Sequence, residues 1–252
     1  MSSTALTQKR RRSSWISSYS ELSISDAEER LGFEMESLGK NPIAITELVA
    51  TANNRVGGAT INSMKEKVYS NILDYLGFEG YPSTLTKDFC EANVSDLVLL
   101  MLNPILSDFR SKTGRDLRLR REKKIVAVDG LTGGKEEFVV VDVVEVFERN
   151  FVLIIERKKD SGDDGMKQCL LSMKDIWDNN GAGEVYGFVT TGVYWRMLRY
   201  NGKAFQVTDV VQALFLAMTN QKDLWLEMYS ALVECIIVAL NDGGVVMKNV
   251  VE

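Results

Sequence analysis

Phe138-Val139-Val140-Val141-Asp142-Val143-Val144-Glu145-Val146-Phe147, followed after Glu148-Arg149-Asn150 by Phe151-Val152-Leu153-Ile154-Ile155-Glu156-Arg157-Lys158, is the stretch that decides the fold. Two runs of β-branched and aromatic residues around a short polar break read as a strand hairpin. With a three-residue break, Phe147 pairs with Phe151 and Asp142 falls opposite Glu156. Strand side chains alternate, so Lys158, two residues beyond Glu156, projects from the same face. A break of two or four residues would invert that parity. Val140, Val144, Val152 and Ile154 share this face, so the acids interrupt a surface that otherwise reads as buried. Buried carboxylates are costly unless they are paired or hold a metal.

The neighbouring segments supply a sheet and its helices. Ile125 to Val128 reads as a strand set off by Gly130, Gly133 and Gly134. Beyond the hairpin, Asp163 or Asp164 caps a helix whose apolar positions Met166, Cys169, Leu170, Met173 and Trp177 keep the helical period. Val185 to Thr190 and Val193 to Tyr200 return to strand texture around Thr191-Gly192, and Asn201-Gly202 marks a turn. The chain from about Asp209 to Leu240 reads as helix. Upstream, Ile61, Met64, Val68, Ile72 and Leu76 predict an amphipathic helix closed by Gly77. Another starts near Val94, kinked or divided by Pro104 before Gly114. The expected fold is α/β, a mixed central sheet flanked by helices. Residues 1–25 read as a disordered basic, Ser-rich tail, 26–93 as an N-terminal helical extension, and 94–252 as the domain that carries the sheet and the C-terminal helices.

Composition narrows the chemistry. With 252 residues, 45% of them hydrophobic and 26% charged, the chain can bury a full core. It contains 0 histidines, which removes Ser-His-Asp triads, Cys-His pairs and His-ligated zinc. General-base work therefore falls to carboxylates, lysine, tyrosine or metal-bound water. Cys90, Cys169 and Cys235 are odd in number and widely spaced, which fits a reducing compartment better than a disulfide framework. The most apolar long segment, Trp225 to Leu240, is broken by Glu227 and Glu234, so no membrane partner is expected. The first residues carry charge without an apolar run, so the expected location is intracellular, nucleus or cytoplasm. Lys9, Arg10, Arg11 and Arg12 read either as a nuclear address or as a solvated terminus.

Two carboxylates, Asp142 and Glu156, with the main-chain carbonyl of Arg157, make an all-oxygen donor set for a hard cation such as Mg2+ or Mn2+. Lys158 is then the cation that positions a water or steadies charge on a phosphate. A Glu-x-Lys at a strand end also fits a solvated charge cluster, and Glu145 is a further acid in the same strand. Arg110, Lys112, Arg115, Arg118, Arg120, Arg121, Lys123 and Lys124 lie close together against only Asp116 and Glu122. Eight cations against two anions leave a local balance of +6 in a chain whose net charge is -5. Such a run suits phosphate and equally suits an exposed surface. Tyr194 and Trp195 read as packing residues before base-stacking platforms.

From about Val94 to Tyr200 the chain resembles the PD-(D/E)XK nuclease superfamily. A leading helix, strands, Val141-Asp142, Glu156-Arg157-Lys158, Gln168 on the next helix and two more strands occur in that order. It is similar to the nuclease-like domains of fungal and oomycete Crinkler-type proteins. The resemblance implies a restriction endonuclease-like fold and metal-dependent cleavage of DNA, with RNA as a further possible substrate. Asp142 and Glu156 would be the ligands, Lys158 the catalytic cation and Gln168 a supporting residue. Val141 stands where the family has proline, no tyrosine follows Gln168, and Glu91, Asp96 and Asp108 all remain open as the acid of the leading helix. These departures keep a catalytically inactive module, binding nucleic acid or protein, as the alternative reading.

Overall fold

The structure, a computed structural model, describes residues 15–40, 42–51, 56–82, 90–143, 149–157 and 163–244. Ser17–Ser18 (β1) leads into Ile24–Leu31 (α1), Met35–Leu38 (α2), Ile45–Thr51 (α3), Gly58–Glu79 (α4) and Glu91–Thr113 (α5). Leu117–Val126 (β2), Thr132–Val143 (β3) and Arg149–Arg157 (β4) follow, then Asp163–Asn180 (α6). Val185–Thr190 (β5), Tyr194–Tyr200 (β6), Phe205–Val207 (β7) and Val211–Gln212 (β8) complete the sheet. The last helical stretch runs through Lys222–Leu224 (α7) and a π-helical turn at Trp225–Tyr229 to Ala231–Asp242 (α8).

The sheet is mixed. Its order is β1-β3-β4-β5-β6-β7, with β2 on the other edge of β3 and β8 paired to β6. β3 runs antiparallel to β2 and β4, β5 runs parallel to β4, and β6 turns back antiparallel to β5. Joining parallel β4 to β5 needs a crossover, which α6 supplies. α6 packs so closely that a Cβ on Gly187 would sit 2.5 Å from Met173 Sδ and 2.6 Å from Cys169 Sγ. The missing side chain there is what lets helix and sheet meet.

Each face of the sheet has its own core. One joins Phe138, Val140, Leu153, Ile155 and Phe188 to α4, α5 and α8. The other joins Val139, Val141, Ile154 and Leu198 to α6, with Tyr19 and Ala27 from the N-terminal segment. Because α3 and α4 share the first core with the sheet, the expected boundary near residue 93 does not coincide with a break in packing.

Several sequence expectations change. The tail expected through residue 25 gains structure from Trp15: β1 pairs with Thr132 and Gly133, and Tyr19 is 1% exposed. Lys9 to Arg12 lie outside the described residues. β2 begins eight residues earlier than expected, within the basic run, because an edge strand that alternates Leu117 and Leu119 with Arg118 and Arg120 carries little apolar signal. Residues 209–240 form β8 and short helical turns before α8, not one helix. Pro104 does not divide α5, which continues to an αL Gly114 at φ 72°. Proline removes the N–H that would have bonded to the Leu100 carbonyl four residues back. Asn71 of α4 donates to that carbonyl at 3.1 Å, so the gap is filled from the neighbouring helix.

Candidate functional site

The hairpin register corrects the expected site. Phe138 pairs with Ile155, Val139 with Ile154 and Val140 with Leu153; after a shift at Val140/Val141, Val141 pairs with Phe151 and Asp142 with Asn150. Asp142 therefore does not face Glu156. Six residue steps along β4 separate its partner from Glu156, a span of about 20 Å at ~3.3 Å per residue. Asp142 instead receives Arg115 Nε at 2.8 Å in a largely buried ion pair. Arg115 also donates to the main-chain oxygens of Leu240 and Gly243 at the end of α8. A cation at that helix terminus satisfies carbonyls that have no partner within the helix. Asp142 and Arg115 thus tie the start of β2, β3 and the end of α8 together, as partners of each other and of that helix terminus.

Glu156 finds different company. It is 4% exposed, two residues beyond Ile154, and so points to the α6 face. The pairing of β3 with β4 runs as far as Phe138 and Ile155, so it is contact with α6, and not register, that sets Glu136 on the same side as Glu156. Glu136 is 1% exposed, and its Oε1 accepts a hydrogen bond from Ser172 Oγ on α6. Cys169 lies one turn before Ser172. Burial pushes its thiol pKa up, and the charges of Glu136 and Glu156 push it further in the same direction. Two buried carboxylates from adjacent strands therefore lie beneath α6, both close enough to Cys169 to act on its thiol. Sequence pattern concealed Glu136, because Lys135-Glu136-Glu137 after two glycines resembles a solvated turn.

The opposite side of this strand end holds Arg157. Its guanidinium binds Glu137, and Nη1 lies 3.3 Å from Glu91 Oε2 at the start of α5. Of the three acids left open on the leading helix, Glu91 thus stands at the end of β4. Asp108 is committed to Lys67 of α4 at 2.7 Å, and Asp96 lies on an exposed part of α5. Gln168 sits partly exposed in α6, immediately before Cys169. Lys158 and Glu145 lie outside the described residues.

The basic run divides into different tasks. Arg110 and Arg118 both bind Asp116, at 3.3 and 2.7 Å. Arg121 lies over the Phe138 ring and Lys124 over the Trp15 ring. Arg120 and Lys123 are partly exposed on β2, and Lys112 is exposed near the end of α5. Apart from Arg115, these side chains remain on or near an edge strand.

No protein-family model matches the chain, and no curated protein matches it. The fold it adopts is a mixed α/β sheet covered by helices on both faces. No helix among the described residues is long and apolar enough to cross a membrane. Among the same residues, no group of three or more His, Cys, Asp or Glu is arranged to hold a metal ion.

Proposed function

We propose that the chain is a metal-dependent nuclease of restriction endonuclease-like type that hydrolyses phosphodiester bonds of DNA. The observation that carries this reading is the pair of buried carboxylates, Glu136 and Glu156, brought together under α6 at the end of β4. Removing two carboxylates from water is expensive, and a shared hard cation is a strong compensation. Their oxygens and the Arg157 carbonyl suit Mg2+ or Mn2+, with water and a phosphate oxygen left to complete the shell. Such a cation would supply Lewis-acid stabilisation of the phosphate and an activated water.

In this reading Glu136 takes the place first expected for Asp142. Arg157, braced by Glu91 and Glu137, fixes the strand end that leads to Lys158, whose proposed task is to steady charge on the phosphate. Gln168 would support the site from α6. The order of leading helix, three strands, helix and two strands also agrees with the superfamily resemblance. The exposed cations of β2 supply the phosphate-facing surface, with Arg115 withdrawn from it.

Purified protein incubated with DNA and Mg2+ or Mn2+ should show cleavage that Glu156→Gln or Glu136→Gln abolishes. Both variants should remain folded without metal, as circular dichroism would show, so that lost cleavage reports on the site and not on unfolding. Asp142→Asn should retain cleavage while losing stability. Absence of cleavage from double-stranded DNA, single-stranded DNA and RNA would sink the reading, and undiminished cleavage by Glu156→Gln would sink the residue assignment. The Ser172 hydrogen bond to Glu136 favours a second reading, an inactive nuclease-fold module, because it already compensates one carboxylate. That module would bind nucleic acid without cutting it.

A further inference from the structure

A cavity of about 890 Å³ opens between α1 and α2 on one side and the ends of β5 and β6 on the other. It lies one strand away from the candidate carboxylate Glu156. Val189 in its wall pairs with Glu156 on β4 and with Arg196 on β6, so the three form one row across the sheet. Residues paired in this way share a face. Two strand spacings place Arg196 about 10 Å from Glu156.

Three side chains give the cavity its chemistry. Arg196 is partly buried and makes no ion pair among the described residues. A partly desolvated guanidinium in that position favours an anion. Tyr194, two residues earlier on the same face, lines the cavity with half of its surface exposed. Its main chain is held in the turn: its carbonyl accepts from Thr191 N at 3.1 Å and from Thr190 Oγ1 at 3.0 Å, while its N–H donates to Thr191 Oγ1 at 3.2 Å. Glu28 accepts from Met35 N at 2.8 Å through Oε1, which fixes its carboxylate and leaves Oε2 available among the described residues. Met35, Met166 and Val207 supply apolar wall. Exposed Glu34, just before α2, and exposed Glu36 within it stand at the lining and disfavour a run of phosphates.

We infer that this cavity takes one unstacked nucleotide of a single strand, its base on Tyr194, its phosphate on Arg196 and an exocyclic amine on Glu28. The inference rests on the nuclease reading and deepens it by naming the form of the substrate. A base still paired in a duplex cannot enter such a recess, so the strand must be single or locally opened. Stacked nucleotides rise about 3.4 Å each, so phosphates about two or three nucleotides apart along one strand span the distance between Arg196 and the carboxylates. Stacking on one aromatic ring is tolerant of base identity, whereas a carboxylate acceptor selects bases that carry an amine, so cytosine and adenine outrank thymine.

The test uses the full chain without divalent cation and fluorescently labelled oligo(dC), oligo(dA), oligo(dT) and a duplex, read by anisotropy. Oligo(dC) and oligo(dA) should bind more tightly than oligo(dT), and the duplex should bind weakest. Tyr194→Ala should weaken oligo(dC) binding by about fivefold or more, with Tyr194→Phe restoring it. Arg196→Gln should weaken all single strands by about tenfold. Glu28→Gln should remove the preference for oligo(dC) over oligo(dT), with circular dichroism confirming that each variant is folded. Wild-type affinity in both Tyr194→Ala and Arg196→Gln, or no binding to any single strand, overturns the inference. Cleavage with Mg2+ is scored separately. Cavity-dependent binding without cleavage removes the nuclease reading alone, while cleavage without cavity-dependent binding removes this inference alone.

Discussion

The two faces of the central sheet are built differently. Against α4, α5 and α8 the sheet forms an apolar core, with Phe138 and Phe188 of the sheet and Leu102 and Phe109 of α5 all at 0% exposure. Against α6 it buries Glu136 and Glu156, and the helix itself buries Lys167 and Asp175. Those four are the buried charged residues among the described part of the chain, and all lie on that side. Burying apolar area stabilises in proportion to area, whereas burying charge stabilises only when each group finds its counterpart. One face therefore holds the fold together, and the other spends part of that stability to assemble polar groups at a strand end.

Damage to the apolar face should produce the largest effect. Phe109→Ala leaves a cavity between α5 and the sheet and should cost about 3–5 kcal/mol in urea or thermal unfolding. A loss below about 1 kcal/mol would show that this face is not the main source of stability.

A smaller effect is expected on the α6 face at Tyr19, whose hydroxyl donates to Asp175 Oδ2 at 2.8 Å. Thr132 donates to the same oxygen at 2.9 Å, so Tyr19→Phe leaves that oxygen one partner and should cost about 1 kcal/mol. Equilibrium unfolding of Tyr19→Phe beside Phe109→Ala compares the faces directly, and a larger loss from the tyrosine change would reverse their ranking.

The smallest effect should appear only as a change with pH. Burial raises the pKa of Asp175, against the lowering influence of the Tyr19 hydrogen bond, the Arg30 charge and the Thr132 hydrogen bond. A carboxyl with a raised folded-state pKa favours folding most when protonated. Its contribution is full below the unfolded value near 4 and is lost as pH rises through the folded value. The stability margin of the wild type over Asp175→Asn should therefore shrink as pH increases upward from about 4, measured by urea unfolding across a pH series. A margin that widens with pH would mean that Arg30 outweighs burial.

Much of the architecture was legible in the sequence, because the helix–strand–helix–strand order follows from changes between helical and alternating periodicity. β2 was hidden because half of an edge strand faces solvent, and its Arg and Lys residues dominated the pattern. The site was legible only in part. Glu156 stood out as an acid after an unbroken apolar strand, but its partner depended on register. The shift at Val140/Val141, which sets Val143 opposite Arg149, moved Asp142 level with Asn150. Local sequence does not encode a one-residue shift of this kind, since the valines on either side fit both faces equally well.

The Asn71 bridge to the Leu100 carbonyl carries a consequence for motion. Without Asn71, the middle of α5 would hold an unanswered carbonyl in a partly buried place. α5 is thus complete as a helix only while α4 lies beside it, and transient opening that lifts α4 away also loosens α5. Amide hydrogen exchange in the two helices should accordingly report one shared opening event, a cooperative unit set by a single amide side chain that mends its neighbour's broken ladder.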